Sequence, residues 1–316
     1  MTFWQKLEKP FFALAPMADV SWTEFVSADG LILADAKGKQ KLMADLLYAE
    51  EERPIVAQLF SASPEQMEKA ARLCRELGFD GIDINMGCPD RSIEKQGCGA
   101  AMMRHPKEAQ EIIAAAKRGS GLPVSVKTRI GYHKDELELW LSALLSAEPA
   151  AITLHARTRK ELSKVSAKWD RIKDAVPIRN AYKSETLIIG NGDAVDLADA
   201  HKKAEESGAD GVMLGRAIFG NPWLFHPEKD ATTVSIEEKL CALVEHTKLF
   251  GELLSHKSFA IMKKHYKAYA QGFEGAHALR ARLMEAHDVA DIETLVEEFV
   301  HRAPPALLAS SATLTA

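Results

Sequence analysis

The sequence predicts an α/β protein: a TIM (β/α)8 barrel followed by a small all-α helical domain. Three observations point there. Eight short, apolar, β-rich runs recur between residues 11 and 214, segments with helix signals separate most of them, and no strand signal follows residue 235. Apolar runs without alternation suit parallel strands covered on both faces, and a strand–helix repeat of this extent suits a closed barrel. A chain of 316 residues is also about the size of one barrel with an appendage.

The strands are expected at 11–15, 24–27, 55–59, 81–85, 124–127, 151–155, 187–190 and 211–214. Ser63-Pro64-Glu65-Gln66 offers an N-cap serine, a proline at the first helical position and a glutamine three residues after the cap. It opens a helix at 67–77 that Gly78 stops. Further helices are expected at 106–117, 135–146, 170–181, 194–207 and 216–225, and 226–233 reads as a linker. A second capping box, Ser235-Ile236-Glu237-Glu238, opens helices at 235–254, 257–271, 276–286 and 292–300. The domains are therefore 1–226, the barrel, and 235–302, the helical domain, with a disordered tail at 303–316.

Composition excludes several classes. With 47% hydrophobic and 27% charged residues the chain is too apolar for a disordered protein. No run reaches the roughly 18 apolar residues of a membrane span, and Lys6, Glu8 and Lys9 break up any signal-peptide core. Cys74, Cys88, Cys98 and Cys241 form no zinc-like spacing, so no metal is expected and a reduced, cytoplasmic setting is the simplest reading. No apolar helical stripe is left over, which suggests a monomer. Net charge is -5, yet residues 255–284 carry six Lys/Arg against Glu274 alone. The charge is segregated, which leaves room for a local nucleic-acid face.

In such a barrel the chemistry sits at the C-terminal strand ends. There stand Ala15-Pro16-Met17, Gln58, Asn85-Met86-Gly87-Cys88-Pro89, Lys127 with Arg129, His155 with Arg157 and Arg159, Gly190-Asn191-Gly192-Asp193, and Gly215-Arg216. Glycines after strands 7 and 8 let backbone N–H groups approach a phosphate, which Arg216 would bond in addition; simple turns would also explain them. Lys127 suits an electron-rich cofactor ring, or is a solvated strand end. His155 and Arg157 share one face by alternation, though His155 taken alone reads first as a hydrogen-bonded structural histidine. Cys88, in a Gly-Cys-Pro turn, suits a proton donor or nucleophile; Cys98, in Gly97-Cys98-Gly99, is its competitor. Cys74 and Cys241 read as buried packing residues.

Taken in order, these segments resemble the flavin-dependent tRNA-dihydrouridine synthases. Val126-Lys127-Thr128-Arg129-Ile130-Gly131, His155-Ala156-Arg157-Thr158-Arg159 and Gly215-Arg216-Ala217-Ile218-Phe219-Gly220-Asn221-Pro222-Trp223 carry the resemblance with the pieces above. Met262-Lys263-Lys264-His265 and Leu279-Arg280 extend it into the helical region. It implies bound FMN re-reduced by NADPH, a tRNA substrate, and Cys88 as the acid that protonates C5 of a uracil. It further implies Pro16, Met17, Gln58, Lys127 and His155 around the flavin ring, and Asn191, Gly192, Asp193, Gly215 and Arg216 on its ribityl and phosphate. Asn85 and Arg157 would meet the uridine, and Lys263, Lys264, His265 and Arg280 the tRNA.

One feature departs from the family pattern. Only Ala18 to Trp22 separate Met17 from Thr23, where the family has a helix. A parallel crossover needs at least about 10–12 residues, so the first barrel helix is expected to be missing. Two other readings stay open: another FMN barrel oxidoreductase acting on a small molecule, such as a dihydroorotate dehydrogenase, and a tRNA-binding protein with an impaired flavin site.

Overall fold

The structure, a computed structural model, describes residues 3–14, 22–226, 228–229 and 232–311. The chain divides into two compact units, Met1–Gly215 and Arg216–Ala316.

The first unit holds eight strands: β1 (Phe11–Leu14), β2 (Val26–Ser27), β3 (Val56–Phe60), β4 (Gly81–Met86), β5 (Val124–Arg129), β6 (Ala151–His155), β7 (Leu187–Asn191) and β8 (Gly211–Leu214). All neighbours pair in parallel, in the order β1-β8-β7-β6-β5-β4-β3-β2. That order runs once round a (β/α)8 barrel opened between β1 and β2, the fold class the sequence predicts. Each expected strand is present within a residue or two of its expected ends.

Residues 15–21, which include Pro16 and Met17, lie outside the described residues, and most of the interval expected to lack a helix lies there too. Its described end is extended: Trp22 bridges to Val56 and the Thr23 N–H donates to the Val56 carbonyl at 3.1 Å. Among the described residues no helix stands between β1 and β2.

Among the described residues eight helices accompany the strands: α1 (Ala28–Leu33), α2 (Ala36–Ala44), α3 (Pro64–Glu76), α4 (Arg91–Glu94), α5 (Pro106–Ser120), α6 (Leu137–Leu145), α7 (Trp169–Ala181) and α8 (Leu197–Ser207). The start of α3 is the one its sequence specifies, with Ser63 Oγ accepting from the Gln66 N–H and Pro64 in the first turn. At the end of α5, Gly121 takes a left-handed φ of 64°, which ends the helix.

Strand parity sets the layers. Outward residues such as Ile82, Ile84, Val126, Ile152, Leu154 and Ile188 pack under the helices as the main core. Inward residues form two zones. Phe11, Ala13, Val56, Ala151, Leu187, Ile189 and Met213 join Trp4 and Trp22 in an apolar plug. Further along the same strands the inward positions turn polar: Gln58, Asp83, Asn85, Ser125, Lys127, His155 and Asn191. Burying the plug anchors the strands, and the polar zone beyond it is the floor of the site.

The second unit is all helical, with α9 (Ile236–Leu253), α10 (Lys263–Tyr269), α11 (Ala276–Leu283), α12 (Val289–Arg302) and α13 (Pro305–Ala309). Leu240, Leu243, Met262, Tyr266, Leu283 and Ile292 lie at its core. Ser235 caps α9 through the Glu238 N–H, as its capping box suggests.

Three expectations are corrected here. The helix at 216–225 is a single 3-10 turn, Arg216–Ile218, because Gly220 takes φ 70° and Pro222 follows. A Cβ on Gly220 would stand 2.5 Å from the Ala268 carbonyl oxygen. The tail at 303–316 is not wholly irregular: Pro305 opens α13, and Ser311 bridges back to Ser235. Cys241 is exposed, not a packing residue, whereas Cys74 is fully buried.

Candidate active site

A chain of side-chain hydrogen bonds crosses the polar floor. Ser125 Oγ donates to Asp83 Oδ1 at 2.6 Å, and Gln58 Nε2 donates to Asp83 Oδ2 at 2.6 Å. Asn85 Nδ2 donates to Gln58 Oε1 at 3.0 Å. Asn85 Oδ1 in turn accepts the backbone N–H groups of Gly87, at 3.1 Å, and Cys88, at 2.9 Å. Register makes this possible, since Gln58 pairs with Asp83 and Asp83 with Ser125 across β3, β4 and β5.

Cys88 sits where that chain ends, and its turn is held from three sides. Besides the Asn85 oxygen, Arg129 Nε donates to the Gly87 carbonyl at 2.8 Å, and the Ala100 N–H donates to the Cys88 carbonyl at 2.9 Å. Gly99 permits the last contact: at φ 60°, a Cβ there would lie 2.7 Å from the Cys88 carbonyl oxygen. The thiol is half-buried against Phe60, Ile93 and Cys98. Burial pushes its pKa up, so it stays protonated at neutral pH. Its competitor Cys98 is 2% exposed, and burial pushes that thiol up to about 12. Of the two thiols Cys88 is the more exposed.

Lys127 and His155 stand on adjacent strands. Lys127 Nζ lies 3.5 Å from Asn191 Oδ1, a long hydrogen bond, while Asn191 Nδ2 donates to the Met213 carbonyl at 2.7 Å. Burial and the neighbouring Arg129 bring Lys127 down to about 8, against the opposing pull of Asp83. His155 Nε2 is 3.0 Å from Arg157 Nη1. A guanidinium only donates, so Nε2 accepts and the ring proton sits on Nδ1. Burial, with the charges of Lys127, Arg129 and Arg157, lowers His155 to about 2, so the ring is neutral at working pH.

Arg157 is only 3% exposed and is bonded within the chain. It donates through Nη2 to Asp193 Oδ2 at 2.5 Å and through Nε to the Val165 carbonyl at 2.7 Å. Asp193 Oδ2 also accepts the Ala167 N–H at 2.8 Å. Arg157 thus bolts the loops after β6 and β7 together and fixes the His155 ring. Gly192 and Asp193 have φ of 122° and 53°. A Cβ on Gly192 would come within 2.9 Å of the Ala167 Cβ and 3.2 Å of the His155 ring. Gly215 follows β8 at the end of the first unit, and Arg216 opens the 3-10 turn of the second.

Within the second unit, His265 is half-buried, 5.2 Å from the Phe219 ring and 4.7 Å from His246. Burial brings it down to about 4. Lys264 is exposed and lies over Phe219 at 5.5 Å. Arg280 Nη1 donates to the Ala270 carbonyl at 3.3 Å, and Arg282 pairs with Glu298. Lys263, Lys264 and Lys267 make no ion pair among the described residues.

Sequence reasoning singled out Gln58, Asn85, Cys88, Lys127, His155 and Asn191, and the barrel gathers them on one floor. It missed Asp83, Ser125 and the clamp role of Arg129. The signal was period-two polarity in apolar strands: Asp83 and Asn85 in β4, and Ser125, Lys127 and Arg129 in β5.

Comparisons agree with this geometry. The family model for dihydrouridine synthase matches residues 13–303. A probable tRNA-dihydrouridine synthase of Staphylococcus aureus (strain MRSA252) is 37% identical over 317 residues, covering 94% of this chain and 95% of the relative. A probable tRNA-dihydrouridine synthase 2 of Bacillus subtilis (strain 168) is 38% identical, covering 94% and 96%. With the family model matched over residues 13–303 and these relatives matched over nearly their full length, the chain belongs to the dihydrouridine synthase family.

Proposed function

We propose that the protein is a tRNA-dihydrouridine synthase that binds FMN at the barrel mouth, draws on NADPH, and reduces the C5=C6 bond of a tRNA uridine. The observation that carries this reading is the Cys88 turn: a protonated, half-exposed thiol held from three sides beside a floor of polar groups. The donor set there suits a flavin ring rich in acceptors. Lys127 supplies an ammonium with one long internal partner, and His155 supplies the N–H on Nδ1. Gln58 and Asn191 border them, and Gly192 and Asp193 offer backbone in conformations that bring N–H groups close to a phosphate-bearing chain. Gly215 and Arg216 are proposed to hold the same end. Pro16 and Met17 belong to this proposed set and lie outside the described residues.

Bound FMN would supply the hydride that goes to C6 of the base. The negative charge left on the base then requires a proton at C5. Cys88 gives it: the S–H bond breaks as the C5–H bond forms, and Arg129 and Lys127 favour the thiolate left behind. Asn85 acts on the uridine from beneath, by holding that turn, and Arg157 acts through His155. The uridine must leave its stack to reach the floor, as in base flipping. Lys263, Lys264, His265 and Arg280 are proposed to meet the tRNA, with His265 as a neutral partner.

Two measurements test the reading. Purified protein should carry a flavin absorption spectrum, with the released species identified as FMN by mass. Cys88→Ala should keep FMN and tRNA binding while dihydrouridine formation drops at least about a hundredfold, within the usual range for a lost general acid. Full activity without Cys88 would remove it as the acid, and a protein that stays colourless after adding FMN would end the flavin reading.

A further inference from the structure

The deepest member of the floor network is a carboxylate that no step of the proposed chemistry uses. Asp83 is 1% exposed and sits below Gln58 and Asn85 on the inward face of β4. The polarity of the network is fixed from its far end. The N–H groups of Gly87 and Cys88 can only donate, so Asn85 must turn its oxygen to them and its Nδ2 to Gln58. Gln58 must then present Oε1 to Asn85 and Nε2 to the group beyond. That group has to accept, and in this fold it is Asp83, whose other oxygen accepts the Ser125 hydroxyl.

We infer that Asp83 is a positioning residue: as the acceptor for Gln58 Nε2 it keeps the Gln58 side chain on the floor, and through Asn85 it holds the Cys88 turn in place. With an apolar group at 83, Gln58 Nε2 becomes a buried donor without an acceptor. Turning the amide over gives no relief, since it sets Nε2 against Asn85 Nδ2, so the side chain must swing off the floor to find a partner. Asn85 then loses Gln58 Oε1, and its hold on the two backbone N–H groups loosens. The inference rests on the reading of Cys88 as the proton donor, and its test is independent of that reading.

The test is peptide-resolved alkylation of the protein by iodoacetamide, with exposed Cys241 as the internal reference. Asp83→Leu keeps the branched shape and heavy-atom count without an acceptor, whereas Asp83→Asn keeps an acceptor for Gln58 and drops the charge. Asp83→Leu should speed Cys88 alkylation relative to Cys241 by about tenfold, the scale expected when a buried hydrogen-bonding group loses its partner, with Asp83→Asn within about twofold of wild type. In turnover, the leucine variant should lose kcat with KM for tRNA within about twofold. Equal Cys88 rates in all three proteins would overturn the inference. So would an asparagine variant as disturbed as the leucine variant, since charge and not acceptor geometry would then be responsible. If Asp83→Leu does not fold, Gln58→Leu breaks the same chain one link on and must loosen Cys88 likewise; an unchanged rate there also overturns it. A wild-type protein that made no dihydrouridine would sink the proposed function and leave this result readable.

Discussion

At the scale of single residues, burial drives the floor groups toward neutrality. Asp83 is raised to about 6 and Lys127 lowered to about 8, so at pH 7 both are charged, but each is close to losing its charge. For Lys127, the unfolded chain titrates near 10.4, so between about 8 and 10 it holds more protons than the folded one. Stability from this residue therefore rises with pH across the window in which its cation is lost. Flavin affinity and uridine reduction should decline as pH passes about 8 with no matching fall in melting temperature, and Lys127→Met should abolish that limb along with most of the affinity. A decline that tracked melting would mean unfolding. Asp83 has the opposite sign. Its folded pKa lies above the unfolded value, so wild-type stability falls as pH rises from about 4 to 6. Asp83→Asn should unfold on the order of 2 kcal/mol less easily at pH 7, a gap that closes by pH 4. Urea titrations at the two pH values measure it, and an asparagine variant less stable than wild type at pH 7 would show that the ionised carboxylate stabilises the floor.

Among elements, what the sequence revealed depended on what each element buries. The strands were legible because each is an apolar run buried on its outward face and closed by Gly, Pro or polar residues. Their inward polarity was harder to see, because Asp83, Asn85, Ser125 and Lys127 are interspersed with the isoleucines and valines that mark the strand. α2 gave no signal because none of its residues is buried, so it has no apolar stripe to read. The helix expected at 216–225 failed on Gly220 and Pro222, punctuation that outweighs propensity. The Cys88 turn was legible as Gly-Cys-Pro, but its clamps come from residues distant in sequence, Arg129 and Ala100, which no local pattern announces. Helix packing is decided in the same nonlocal way at Gly119 of α5. A Cβ there would lie 2.0 Å from the Glu68 carbonyl oxygen of α3, backbone against backbone, where no rotamer change gives relief. Gly119→Ala should cost about 1–3 kcal/mol in urea unfolding despite the better helix propensity of alanine. An unchanged midpoint would mean that the two helices slide apart freely.

Across the whole molecule, charge is divided unevenly, and that division makes a quantitative expectation. The chain carries -5 overall, but residues 255–284 hold six Lys/Arg and one acid, so the remainder is -10. A polyanion held by the bulk of this surface would be repelled, whereas one held by this segment is drawn in and then oriented. Not every cation there is available in the same way. Arg282 is paired with Glu298 and Arg280 is bonded to the Ala270 carbonyl, while Lys263, Lys264 and Lys267 make no ion pair among the described residues. Those three lysines should therefore account for the salt dependence of tRNA binding. Each phosphate neutralised contributes about 0.7 to 0.9 to the slope of log K against log salt. Replacing all three by alanine should lower that slope by about 2 to 3 and weaken binding at low salt. The flavin spectrum and the Cys88 alkylation rate should not change, because the floor groups belong to the first unit. Filter binding of tRNA across a salt series, on wild type and the triple variant, gives the slope directly. An unchanged slope would place the phosphate contacts elsewhere, and the segregated charge would then serve some purpose other than holding tRNA.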